Sequence, residues 1–333
     1  MIRSCDRRGA AEQGAVAIIV AISSLLMFGF AAYAIDAGNL WQTRRNMVTA
    51  TDAAALASAS DYATGGNGCS SSASAYVSLN RGDGSVESCA ASGSGTDAGR
   101  VTVRAGTTID YTFAGIFGLD TKRVRSTTTA EWGIPSGALG LRPFGLCLNA
   151  NAQLAAWLNL PTGPTGTSGT IRITYGKSQP NACGTNVPGN WGVQDFDGGA
   201  NSNADTKTWT HDGYPGLVSI GAAIPGDTGA FSNSLNSELS YLQATGQTFA
   251  LPIFDSATGN GSGARFHIVA VVDVRLVGFL TTGAQANRYF DLVFSRAVLQ
   301  GTCCGTGLDT GARVVRICDV DTLNPNTSDP RAC

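Results

Sequence analysis

Charge is scarce in this chain. Asp, Glu, Lys and Arg make up 14% of its 333 residues, against roughly 25% in an average soluble domain. The formal net charge of −2 and a pI of about 5.7 supply no basic footprint for nucleic acid. Histidine is nearly absent: His211 reads as a loop residue and His267 as the polar face of a strand, with Asp273 and Arg275 on the same side. There is no G-x-S-x-G elbow, no G-x-x-x-x-G-K-[ST] loop and no H-E-x-x-H. Without a C-x-x-C pair, neither a thioredoxin-like redox site nor a paired-cysteine zinc site is signalled. The nucleophile and base constellations of common enzymes are missing, so the reading is of a protein that is not an enzyme and takes no small-molecule substrate.

What is abundant is apolar and small. From Gly14 to Ile35 the chain runs 22 residues without a charge, and ten of them are Val, Ile, Leu or Phe. As a helix rising about 1.5 Å per residue, that run is about 33 Å long and covers a hydrocarbon core of about 30 Å. Its ten large apolar residues favour insertion by about 3–6 kcal/mol. Asp36 ends the run and reads as the membrane-interface residue, either solvated there or paired with a basic group of a neighbouring subunit. From Asp36 to Ala59 the chain is Ala-rich and proline-free, so the helix continues past the lipid. Two rival readings exist: a signal peptide cleaved after Ala34, on the Ala32-Tyr33-Ala34 pattern, and a buried core helix.

Compartment follows from cysteine. Cys5 precedes the span; Cys69, Cys89, Cys147, Cys183, Cys303, Cys304, Cys318 and Cys333 follow it. An even set in a Gly- and Ser-rich chain fits an oxidising compartment, so the expected topology is single-pass, N-terminus inside and bulk extracytoplasmic. A Cys69–Cys89 bridge would close a loop of about 21 residues, worth about 3 kcal/mol. Cys147 and Cys183 flank a second block. Cys303 and Cys304 are adjacent and not expected to bond to each other; with Cys318 and Cys333 they leave two pairings, 303–318 with 304–333 or 303–333 with 304–318.

The expected fold is α+β. Residues 1–13 form a cytoplasmic tail and 14–35 the transmembrane helix. Residues 36–132 form an extended helix with a small sheet packed on its lower part, and 138–333 a mostly-β, disulfide-bonded extracytoplasmic domain. Residues 100–104, 107–112 and 124–132 alternate as strands. Ala63 to Asn80 reads as low-complexity with loop signals, Ala152–Leu158 as a short helix and Thr170–Tyr175 as a strand. Gly216–Ile224 and Thr248–Phe254 read as strands around a helix at Leu235–Leu242. Arg265 to Phe279 is the longest strand, half-buried, with Phe266, Ile268, Ala270, Val272, Val274 and Leu276 on the inner face and His267, Val269, Val271, Asp273 and Arg275 on the outer.

One ligand pattern stands out. Asp195, Asp197, Asn201, Asn203 and Asp205 place oxygens at short spacing in a glycine-bearing loop, the donor set Ca²⁺ requires, though not in EF-hand order. The same residues also make turns by bonding their own backbone. Apart from this Ca²⁺ reading, no cofactor is expected.

Arg8-Gly9, the apolar run to Asp36-Ala37-Gly38, Trp41, Arg44-Arg45 and Thr51-Asp52-Ala53-Ala54-Ala55-Leu56-Ala57 resemble the N-terminal region of TadG-like Flp (tight-adherence) pilus-assembly proteins, TadE relatives. The segment Phe113 to Asp120, with Val124 and Thr127 to Ala130, resembles the strand–short helix–strand of the same relatives. Pro188 to Gly192, Asp195 to Gly199 and Leu251 to Asp255 are similar to segments of longer members. The resemblance implies a pilin-like outline for residues 36–132 and a non-catalytic assembly component anchored in a bacterial cytoplasmic membrane, whose partners are the membrane, other pilus-assembly proteins and minor pilins. An envelope-anchored adhesin or a glycan- or protein-binding module is the alternative. Two departures matter: Ile19 stands five residues after Gly14 where a prepilin carries Glu, and no Asp-x-Ser-x-Ser run of a von Willebrand type A metal site is present.

Overall fold

A computed structural model describes residues 8–93, 97–149, 151–159, 166–175, 183, 191–199, 203–227, 233–259, 263–284 and 287–318. It is a long N-terminal apolar helix followed by a mostly-β body with disulfides.

Helix α1 (Arg8–Ala63) is unbroken over 56 residues. Its two halves differ in what they touch. From Val16 to Ile35 no side chain is buried. Beyond Asp36, a stripe of Thr43, Met47, Ala50, Thr51, Ala54, Ala55, Ser58 and Ala59 is 0–2% exposed, recurring at the three- and four-residue steps of one helix face. Small side chains on that stripe let a sheet lie close against the helix. Helix α2 (Ser72–Asn80) folds back on α1 through Ala73 and Val77. The sequence reads this region as a low-complexity loop; the structure makes residues 72–80 helical, because packing and the Cys69–Cys89 bridge supply order that composition does not. Gly68 makes the close approach possible: a Cβ there would overlap the backbone of Ser58.

Strands β1 (Ser85–Gly93), β2 (Gly99–Asp110) and β3 (Thr121–Gly133) form an antiparallel meander on the α1 stripe. The two short strands expected at 100–112 are one continuous strand, and β1, made of small and polar residues, carried too weak a β signal to be read. Thr51 donates to Ser126 at 3.0 Å, Thr128 donates to Asp52 at 2.7 Å, and Tyr62 stacks on Trp132 with ring centroids 5.4 Å apart. The hairpin tip between β2 and β3 therefore lies at the Asp36 end of the packed half of α1.

The body follows with β4 (Pro135–Ala138), β5 (Phe144–Cys147), α3 (Ala152–Leu158), β6 (Thr167–Tyr175), β7 (Trp191–Val193) and α4 (Asn203–Asp212). Then come β8 (Val218–Ser219), β9 (Ala223–Pro225), α5 (Asn236–Thr245), β10 (Thr248–Thr258), β11 (Arg265–Leu280) and β12 (Arg288–Ser295). The described residues end with β13 (Ala297–Val298), β14 (Gly301–Cys303) and β15 (Ala312–Cys318). The expected single strand at 216–224 is two short pieces parted by a turn in which Gly221 has φ +90°. The helix expected at 235–242 starts one residue later, after a 3₁₀ turn, and ends at Gly246 in the left-handed conformation.

The main sheet has the order β6-β12-β11-β10-β5-β7, with β9 also on β11. Leu154, Trp157 and Leu158 of α3 and Leu239 and Leu242 of α5 pack on one face. Phe196, Trp209 of α4 and Tyr214 pack on the other. With both faces covered, β11 is not half-buried: Val271 and Asp273, expected on the outer face, are 1% and 2% exposed. A small sheet, β14-β4-β8, lies beside it.

The last strand returns to the beginning. β15 pairs antiparallel with β3, Val314 opposite Gly133 through Cys318 opposite Thr129, and β13 runs parallel to β15. The N-terminal sheet is thus β1-β2-β3-β15-β13 and draws strands from both sides of the expected boundary near residues 133–137.

Candidate functional site

Asp36 is the first charge after the apolar run, and it faces the hairpin tip. Its carboxylate accepts the backbone N–H of Thr112 at 2.8 Å, of Phe113 at 3.0 Å and of Ala114 at 2.7 Å. The helix fixes where the acid stands; the tight turn of residues 112–114 aims successive N–H groups at it, as at a helix N-terminus. Asp36 is only 6% exposed, so the site is built between α1 and the loop. The sequence marks the residue as an interface acid with solvent or a neighbouring subunit as its partner. The structure gives it an internal partner, 76 to 78 residues away.

Above this clamp a groove of about 690 Å³ separates α1 from β2, β3 and β15. Arg44, Arg104, Arg125, Asp52 and the hydroxyls of Ser126, Thr127 and Thr128 line it. Glu87 on β1 holds Arg104 at 3.2 Å and Arg125 at 2.9 Å. The lining offers guanidinium donors and hydroxyls for polar contacts. Cys318 at its edge is disulfide-bonded.

Two carboxylates of the calcium pattern make local backbone bonds. Asp195 accepts the N–H of Gly198 at 3.2 Å and Asp197 that of Gly199 at 3.0 Å, each carboxylate turning its own loop. Burial, and then the neighbouring Asp197 carboxyl, push Asp195 above its ordinary value. Asp205 stands in the first turn of α4, which also contains Asn203, while Asn201 lies outside the described residues. Among the described residues the one trio with ligand atoms within 4.8 Å of one another is Glu131, Cys303 and Cys304.

The cysteines agree with the reading in two cases and correct it in one. Cys69–Cys89 and Cys147–Cys183 are bonded, with Cα atoms 5.4 Å and 5.9 Å apart. Cys303 and Cys304 are bonded to each other, against expectation. The peptide between them is cis, and their Cα atoms are 3.0 Å apart. Both pairings expected for these two therefore fail. Cys318 is also disulfide-bonded, and Cys333 lies outside the described residues.

Each histidine pairs with a carboxylate. His211 lies at the end of α4 rather than in a loop, stacked on Tyr241 with centroids 4.4 Å apart and 2.7 Å from Asp212. His267 meets Asp255 of β10 at 2.8 Å instead of Asp273. Partial burial pulls the Asp255 carboxyl up, but hydrogen bonds from His267 and Ser256 outweigh it and hold the group below its ordinary value.

Residues 14–61 match the Tad family model, described as "Putative Flp pilus-assembly TadE/G-like". No curated protein and no solved structure matches the chain significantly. The matched segment falls entirely on α1: the apolar run, Asp36 and the stripe that carries the sheet.

Proposed function

We propose that this chain is a single-pass structural component of the Flp pilus-assembly machinery, its N-terminus in the cytoplasm and its sheet-bearing body outside. The observation that carries the proposal is the coincidence of the family match with a two-part helix. One half exposes every large apolar side chain from Val16 to Ile35, and the other is a platform for a sheet. Twenty residues with no protein cover are what a bilayer accepts, since the lipid removes their apolar surface from water. The bonded cysteines support an oxidising compartment for the body. The role is non-catalytic: the polar groove and both histidines hold groups suited to protein contacts and ion pairs. Its partners are the membrane, other pilus-assembly proteins and minor pilins.

Deleting the gene and counting surface pili by electron microscopy tests the role; loss of pili, restored by the intact chain, is the expected result. Unchanged piliation would overturn it. Topology is read separately, by labelling Cys5 with a membrane-impermeant maleimide, which should react only after the cells are opened. A mature polypeptide beginning at Ile35 would remove the anchor and the topology with it.

A further inference from the structure

The tip of the β2–β3 hairpin is the least explained surface outside the apolar run. Residues 111–120 are closed by the Tyr111 N–H to Asp120 carbonyl bond of 2.9 Å and wind through a 3₁₀ turn at Ala114–Phe117. Phe113, Ile116 and Leu119 point out of this loop and are 36%, 83% and 58% exposed. Three large apolar side chains on one exposed tip mark a contact surface rather than a random feature.

Position says what the contact is with. The loop's backbone is fastened to Asp36, so the tip stands where α1 leaves its uncharged run. From there the sheet climbs away, Thr128 meeting Asp52 and Trp132 meeting Tyr62 near the helix end. The exposed apolar surface of Phe28, Phe30, Tyr33 and Ile35 on the helix is thus continued, at the same level, by the loop. Charged residues (Asp110, Asp120 and the exposed Lys122) bracket the tip and limit how far it could sink. Trp41, 60% exposed with Arg45 4.7 Å over its ring, stands about one and a half turns further on, the pairing found where a helix emerges among headgroups.

We propose that loop 111–120 beds in the outer-leaflet boundary of the bilayer that α1 crosses, with Ile116 and Leu119 among the upper acyl chains. The inference rests on the anchored reading above. A lone helix can spin and tilt in lipid; a second apolar foot, pinned to it by Asp36, fixes the rotation of the sheet and groove relative to the membrane plane.

The test uses the full-length, oxidised chain in phosphatidylcholine–phosphatidylglycerol vesicles. Nitroxide labels are placed at Ile116→Cys, Leu25→Cys or Leu217→Cys, each in a Cys5→Ser chain. Accessibility is then read from power saturation with oxygen and with a water-soluble nickel chelate. Leu25 lies in the apolar run. Leu217 lies against Gly137, past the far end of the 13-residue β3 and so roughly 40 Å from the tip. Ile116 is exposed, so the label leaves the fold intact. The label at 116 should behave like that at 25, open to oxygen and closed to nickel, and unlike that at 217. Nickel access at 116 but not at 25 would overturn the loop inference and leave the anchor standing. Nickel access at both would remove the anchor too. Exclusion of both collision partners at 116 would mean that protein, such as a second copy, covers the tip, which also overturns the proposal.

Discussion

Asp36 Oδ2 accepts a hydrogen bond from the backbone N–H of Ala114 at 2.7 Å, across 78 residues of sequence. With Thr112 and Phe113 donating to the same carboxylate, one acid on the helix holds the corner of the first sheet nearest the apolar run. Asp36→Ala should leave those N–H groups without their acceptor. Amide hydrogen exchange at residues 112–114 should speed up while exchange around Trp132, at the other end of the sheet, stays unchanged. Asp36→Asn keeps an acceptor oxygen and should give an intermediate result. Equal exchange in all three chains would show that the clamp holds nothing.

Asp273 makes stability depend on pH. Burial raises its carboxyl from 3.8 to about 6, with hydroxyl bonds from Ser295 and Thr248 working the other way. The folded state therefore holds the proton more tightly than the unfolded one. The contribution is fully present below about pH 3.8 and is lost as pH rises through about 6, a change of about 3 kcal/mol. Asp273→Asn should be more stable than the parent at pH 8 by up to that amount and should show no advantage near pH 3.5. Urea melts at the two pH values read the difference, and a parent stability independent of pH relative to the variant would count against it.

Arg313 is wholly buried, and its guanidinium meets Asp309 through two bonds of 2.7 and 2.8 Å and Asp97 through one of 3.2 Å. The Asp309 pair braces the approach to β15, and the Asp97 pair joins β15 to the segment between β1 and β2. Arg313→Leu should cost about 1.5–3 kcal/mol in a urea melt, the worth of charge-assisted hydrogen bonds to carboxylates that water can still reach. Adding Asp309→Asn to that variant should recover part of the loss. Acid should act in the same direction as the single substitution. Burial raises the Asp309 carboxyl, but the Arg313 bond holds it below 3.8 overall, so its contribution is present above that value and fades as pH falls below it.

The Cys69–Cys89 bridge, spanning 20 positions, ties the start of α2 to β1. Cys69→Ser with Cys89→Ser should lower stability by about 3 kcal/mol and loosen α2 first, seen as faster amide exchange over residues 72–80. An unchanged melt would show that α2 holds by packing alone.

The sequence by itself determined the helix and which half of it carries the sheet-facing stripe of small residues. Charge absent over 22 positions, followed by small residues on one face, is a local pattern, and an unbroken α1 needs nothing further. The short helix at 152–158 was equally legible, since Asn151 caps it with bonds to the N–H of Gln153 and Leu154. Only the tertiary structure decided the rest. Whether Asp36 faced water, a neighbour or its own chain depended on a hairpin 76 residues on. That both faces of β11 are covered depended on α3 and α5 on one side and α4 on the other, and β15 closing onto β3 depended on strands far apart in the chain. Periodicity reports which residues share a face; it carries no information about which distant segment will cover that face, because that choice is made by packing between elements the local pattern cannot relate.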